Sequence, residues 1–435
     1  MTADLRDLRG LRGVRGLRGL TWDHPRGYVV LDAMAAAGEG PPPSNSPGVK
    51  SPAAGPPPAG VPIHWDRQPL EGFESRPLRT LADHYDLLVI DHPGLGEAVR
   101  DQALRPLGTL LSKAQLAACE GVSAGRSYAS YRLAGQQWAL PLDAAAQVSV
   151  CRPDLMTERP ATWADARRAA RRYHTAVCLG GPHALLMFAA ICVSLGAPPA
   201  TSPEAPGFAD PAAGAEALEL MADLLAHADP RLAGRNPIAV LDEMADGRRG
   251  DGPGDGRGDG PAYCPLVYGY LTYQRPRTGK RALAAFDAPT GSGRDSQGPR
   301  TGSVLGGTGI AVTGSCAQLD AARAHILRLM SPGVQIGLYS ELGGQSADRR
   351  AWLDPDADRR GGGFYSATRR TVEAAWVRPR FAGYVAFQAE ASAVLRDGLL
   401  AGLRPGPLLS RVNGMFARAG EAAARRAGKE HMSQP

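Results

Sequence analysis

The chain has 435 residues, 43% of them hydrophobic and 21% charged, with 49 Lys and Arg against 43 Asp and Glu for a net charge of +6. That length exceeds one ordinary core and implies two or more lobes of roughly 100 to 200 residues each, and a mean hydropathy of -0.22 excludes a membrane-embedded chain. The basic excess is scattered arginine, as in RRAARRY (Arg167 to Tyr173), without interleaved aromatics, which argues against a nucleic-acid reader.

From the start, Arg recurs every second or third position through MTADLRDLRGLRGVRGLRGL, where a secretory peptide needs an uninterrupted apolar stretch. Residues 1–17 are expected to be a flexible extension. No lipoprotein-type Cys follows, so the chain is expected to be cytoplasmic as written, and extracytoplasmic only if its start is misassigned. GLTW then reads as a short strand, followed by Asp23-His24-Pro25. Residues 38–62, rich in Pro and Gly, read as a loop insertion.

PIHWDRQ (Pro62 to Gln68) reads as a second strand, and YDLLVIDHP (Tyr85 to Pro93) is the continuous apolar run of a strand covered on both faces. It ends in the same tripeptide, Asp91-His92-Pro93. Pro is tolerated in a first helical turn and a preceding Asp can cap its amides, so each corner reads as a helix start.

TWADARRAARRYH (Thr162 to His174) reads as a helix capped by Thr162, and AAGAEALELMADLLAHA (Ala212 to Ala228) as an amphipathic one. Between them HALLMFAAICVSLGA, from His183, is shorter than the roughly 20 residues of a bilayer span and reads as a buried helix. Residues 247–261 and 289–303 look like two more flexible loops. The six cysteines never form a CxxC pair, so no metal site is expected and most read as buried small hydrophobes. The alternation of elements predicts an α/β architecture with mainly parallel sheets.

Several segments together resemble a known family. GQQWALPLDAAAQVSVCRPDL (Gly135 to Leu155), the helix opening RPATWADARRAARRY (Arg159 to Tyr173), and the run from Gly307 to Asp354 are similar, in order, to the type 1 extracellular solute-binding proteins. LTWDHPRGY and YDLLVIDHP resemble the carbohydrate-binding components of ABC transporters within that family. The resemblance implies a two-lobed periplasmic-binding-protein type II fold with hinge strands between the lobes. It implies lobe 1 over 18–141 and 284–331, lobe 2 over 142–283 and 332–425, and a flexible tail at 426–435. PLDAAAQ, near Ala144 to Val150, is then hinge and cleft wall at once. An ABC permease is the implied partner if the chain is exported, although the export signal and lipid anchor of the family are missing here.

In open parallel sheets ligands bind outside the carboxyl ends of strands, and both Asp-His-Pro corners lie there. The expected ligand contacts on the first corner are Trp22, Asp23, His24, Arg26 and Tyr28; on the second, Asp91 and His92. The cleft wall adds Asp143, taken as the foremost ligand contact, with Gln147, Tyr268, Tyr270 and Gln345. Trp65 and Trp352 are further aromatics near strand ends or loops, each read more readily as core. Aromatic faces and convergent polar groups suit a small, carbohydrate-like organic ligand held by a monomer.

A catalytic alternative uses the same corners. His24 or His92, with Asp23 or Asp91, can serve as acid or base for a cyclase, an isomerase or other cofactor-free intracellular chemistry. No phosphate loop or HExxH occurs, so no cofactor and no metal are expected. Binding and catalysis both remain open from the sequence.

Overall fold

The structure, a computed structural model, describes residues 16–37, 62–246, 260–292, 298 and 300–432. Its framework is one mixed sheet: β1 (Leu17–Trp22), β2 (Ile63–Gln68), β3 (Leu87–Ile90), β4 (Ala139–Cys151), β5 (Tyr263–Tyr268), β6 (Ala284–Phe286) and β7 (Leu305–Val312). The spatial order is β2-β1-β3-β7-β4-β5, with β6 also paired to β4. β1 runs parallel to both β2 and β3. Every other pairing in this sheet is antiparallel, which corrects the expectation of mainly parallel sheets. The reason is the return path: β7 comes back from the second lobe and inserts between β3 and β4 against the direction of both.

β4 joins the two lobes. All 13 of its residues are buried. Its first part, Ala139 to Ala146, pairs with β7, and its last part, Gln147 to Cys151, pairs with β5 and β6. β6, which begins at residue 284, pairs with the Ser149–Cys151 end of β4, and β7 pairs with its Ala139–Ala146 part. Beside β4 at the crossing, Ser303 Oγ donates to the Gln147 carbonyl (2.7 Å) and Leu305 N to the Trp376 carbonyl (2.8 Å). Three chain segments therefore cross together.

Helices cover the sheet where the pattern demands it: α1 (Pro25–Ala36), α2 (Leu70–Ser75), α3 (Leu95–Arg100), α4 (Trp163–Arg172), α5 (His183–Ser194), α6 (Pro211–Ala226), α7 (Phe364–Ala374), α8 (Tyr384–Leu400) and α9 (Pro405–Met432). α4 opens with a reciprocal cap between Thr162 and Asp165, as its sequence predicts, and turns Trp163, Ala166, Ala169 and Ala170 inward. α5 is apolar all round and buried along its whole length, the centre of the second lobe. The rings of Phe188, Phe208, Phe387 and Phe416 meet around it.

Two loop expectations change. Within 289–303, Thr290–Gly291 and Arg300–Thr301 form an antiparallel ribbon that packs on α5. Gly291 and Gly302 permit this approach, since a Cβ on either would overlap Ser194 or the Ala190 carbonyl. α9 continues to Met432, through most of the segment expected as a tail. The expected extension and the insertions at 38–62 and 247–261 fall almost wholly outside the described residues. Among the described residues, no helix is long and apolar enough to cross a membrane.

Candidate functional site

β1 and β3 are parallel neighbours, so the corners after them reach the same sheet edge. In the first, the helix cap is His24 rather than Asp23. His24 is extended (φ -148°, ψ 144°), its Nδ1 accepts from the Arg26 amide (3.1 Å), and Pro25 takes the first helical position. The side chain of Asp23 is 61% exposed and faces Arg67 at 3.8 Å. In the second corner the cap is Asp91, whose Oδ1 accepts from the His92 amide (2.9 Å) ahead of a 3-10 turn, His92–Gly94, that leads into α3. Both tripeptides are helix starts.

Two buried ion pairs follow. Arg26 Nε donates to Asp143 Oδ2 at 2.6 Å, and Thr308 donates to Asp143 Oδ1 through its amide (2.7 Å) and hydroxyl (3.1 Å). Asp143, the foremost expected ligand contact, is thus consumed by protein donors. Arg378, on the segment after α7, donates to both Asp91 oxygens at 2.7 Å. Burial opposes ionisation of Asp91, but Arg378 outweighs it and holds the carboxyl below its usual range. Burial likewise opposes the Arg26 charge, and Asp143 restores it.

Three histidines near these charges, His24, His92 and His183, are held toward the neutral form. Burial, then Arg26 and Arg277, pulls His24 down to about 3; burial, then Arg378, pulls His92 to about 4 and His183 to about 3. His92 is fully buried, its Nδ1 3.3 Å from Asp91 and its ring edge-on to Tyr131. His24 Nδ1 is committed to the cap. Of the four residues of the catalytic alternative, His24 and Asp91 thus serve as helix caps, His92 packs against Asp91 and Tyr131, and Asp23 faces Arg67.

Aromatic rings from both lobes meet in front of these charges. Trp22 stacks on His24 (5.0 Å, 9°) and Phe73 (5.9 Å), and Tyr270 of the second lobe lies 6.1 Å from Trp22. The Arg26 guanidinium sits over Tyr270 (5.0 Å) and Trp22 (5.7 Å). Outward from Phe73 a cavity of about 670 Å³ opens between the lobes, bordered by Glu74, Asp91 and Pro93 on one side and Gly383, Phe387 and Gln388 on the other. That volume is in the range of small-molecule sites.

The remaining expected residues divide. Tyr28 lies half-buried under the Arg67 guanidinium (3.4 Å), in a surface cluster with Asp23 and Asp32 and apart from the cleft. Gln345 bridges backbone, donating to the Ala144 carbonyl (3.3 Å) and accepting from the Leu271 amide (3.2 Å). Gln147 is buried at the crossing with its side-chain oxygen unpartnered. Beside it on β5, the Tyr268 hydroxyl donates to Leu305 (3.4 Å). Trp65 packs in the core near His325, and Trp352 donates to the Ser346 carbonyl (2.8 Å).

The sequence reading missed Phe73, Glu74, His183 and Arg378. The one signal for them was charge in apolar surroundings, a His directly after Gly-Gly-Pro and an Arg in WVRPRF. Among the described residues, no group of three or more His, Cys, Asp or Glu is placed to hold a metal ion.

No protein-family model matches the sequence, and no curated protein matches it in sequence. Solved structures do match in fold. An ABC transporter solute-binding protein from Agrobacterium radiobacter K84, in complex with ribitol, superposes with a TM-score of 0.68 at 16% identity, covering 94% of this chain and 98% of that one. The cyclic alpha-maltosyl-1,6-maltose binding protein of Arthrobacter globiformis gives 0.66 at 14% identity, covering 94% and 99%. The maltose-maltodextrin binding protein of Alicyclobacillus acidocaldarius gives 0.66 at 14% identity, covering 94% and 100%. The chain has the two-lobed fold of these proteins, as its sequence resemblance implies.

Proposed function

We propose that the chain is a solute-binding protein that holds a small carbohydrate-like ligand between its lobes, which hinge where β4, Ser303–Leu305 and Trp376–Arg378 cross. The observation that carries this reading is the meeting of Trp22 and Tyr270 from opposite lobes, 6.1 Å apart with Arg26 against both rings. Flat apolar faces beside fixed polar groups are what sugar rings require, since a sugar offers C–H faces and hydroxyl edges. A cleft between hinged lobes lets such a ligand be enclosed on both sides.

The ligands named for the structural neighbours, ribitol and a cyclic maltosyl-maltose, are polyhydroxylated and support the same class. The protein acts as a monomer in this reading. If exported, its membrane partner is an ABC permease. Retained in the cytoplasm, it holds its ligand there, and cell fractionation distinguishes the two.

The test is a panel of neutral mono- to tetrasaccharides and polyols, read by melting temperature and by recovery of the sugar. The expected result is a raised melting temperature with at least one member, recovered chemically unchanged. Conversion of that sugar, or no response to any member, overturns the reading.

A further inference from the structure

Building on the cleft reading above, we propose that the ligand is an amino-carbohydrate, carrying a protonated nitrogen whose counter-charge is Glu74. Of the other carboxylates that border the cavity, Glu97 accepts from the Gly383 amide and Glu390 is exposed on α8, and three carboxylates at or behind the cavity wall have their own arginine: Asp91 with Arg378, Asp101 with Arg100 and Asp143 with Arg26. Glu74 has none. Among the described residues no lysine or arginine lies within 4 Å of it, and the His183 Nε2 is 3.8 Å from Glu74 Oε1.

Arg378 favours the Glu74 charge through space, but burial and the neighbouring carboxylates outweigh it. Glu71, on its own helix, is negative and receives a hydrogen bond from Asn236. Asp91, on the first-lobe edge, is negative; Arg378 is engaged with Asp91; Tyr268 and Tyr270, across the cleft, are neutral. His183, at the start of α5, is 2% exposed, and its Nε2 has no hydrogen-bond partner. The Tyr384 hydroxyl, in the field of Arg378 and Asp91, is buried and unpartnered as well. Burial, then Asp91, raises the Glu74 carboxyl to about 8, which favours its protonated form at neutral pH.

Glu74 borders the cavity beside Phe73, and an ammonium seated there lies between Glu74 and Asp91 with aromatic faces alongside. Such a ligand replaces the proton: Glu74 ionises and forms a charge-assisted hydrogen bond with the ammonium. A hydroxyl at the same place leaves Glu74 protonated. The two ligand types therefore differ by one proton in the complex.

The experiment is calorimetric titration at about pH 6, in two buffers of different ionisation enthalpy, where both the amine and the neutral form of Glu74 are protonated. The probes are matched pairs, D-glucosamine with D-glucose and the β-1,4 glucosamine disaccharide with cellobiose, on the wild type and Glu74→Gln. The expected result is that an amine binds about tenfold or more tighter than its hydroxyl partner, the hydroxyl complex holding about one proton more. In Glu74→Gln, checked for folding by its melting curve, the affinity ratio falls toward one and the proton difference vanishes. Equal affinity, or preference for the hydroxyl member, overturns the proposal and leaves the cleft reading in place; a chain that binds no pair and no neutral sugar overturns both.

Discussion

Arg378 reaches from the second lobe to the end of β3 and donates to both oxygens of Asp91 at 2.7 Å. The segment around it repeats the motif: the Gly383 amide donates to Glu97 (3.0 Å), and Arg380 to the carbonyls of Ala129, Ser130 and Arg132. One stretch of chain thus ties together the end of β3, α3 and the 129–132 turn.

Removing one partner of a buried pair leaves the other charge without compensation, which costs about 3 to 5 kcal/mol. Arg378→Met is therefore expected to lower unfolding stability by about 3 kcal/mol and to expand the protein in small-angle scattering. The double variant with Asp91→Asn is expected to lose less than the sum of the single losses, since the stranded charge is gone. Simple addition of the two losses contradicts the pairing.

Stability should fall with pH in one window. Glu74 is raised from 4.5 to about 8, so its contribution is complete below 4.5 and is lost as pH climbs toward 8. His24, His92 and His183 are lowered from 6.5, so their contribution is complete above 6.5 and lost on acidification. Between pH 6.5 and 8 the Glu74 term acts with these histidines neutral. Urea unfolding across that window should show decreasing stability in the wild type and a flatter profile in Glu74→Gln. Rising stability in the wild type refutes the assignment.

The cap at the first corner has its own signature. His24→Ala is expected to cost about 1 kcal/mol, and His24→Asn, which keeps a side-chain acceptor, to recover most of it. Asp23→Ala, at an exposed side chain, should change thermal stability little. The opposite ranking in thermal melts would return the cap to Asp23.

The β1, β2 and β3 strands, the capped α4 and the buried α5 were legible because each depends on local pattern: an apolar run, Thr three residues before Asp, or a helix without a polar face. Strand direction was not, because the 13 buried residues of β4 carry no mark of which neighbour returns antiparallel. The ribbon at 290–301 was hidden by its composition, since glycines that allow close packing on α5 read locally as loop. In the site, Trp22, His24, Asp91 and Tyr270 were visible as strand-end residues. Arg378 was not, since it stands 287 positions from Asp91 and only the fold unites them.

The claim that the ligand is held in the cleft where the Trp22 and Tyr270 rings meet is tested most directly by calorimetric titration of the wild type, Trp22→Ala and Tyr270→Ala with the carbohydrate panel, amino sugars included. The account predicts that the wild type binds at least one member and that each variant, still melting cooperatively, binds it about tenfold or more weakly. Unchanged affinity in both variants would contradict it.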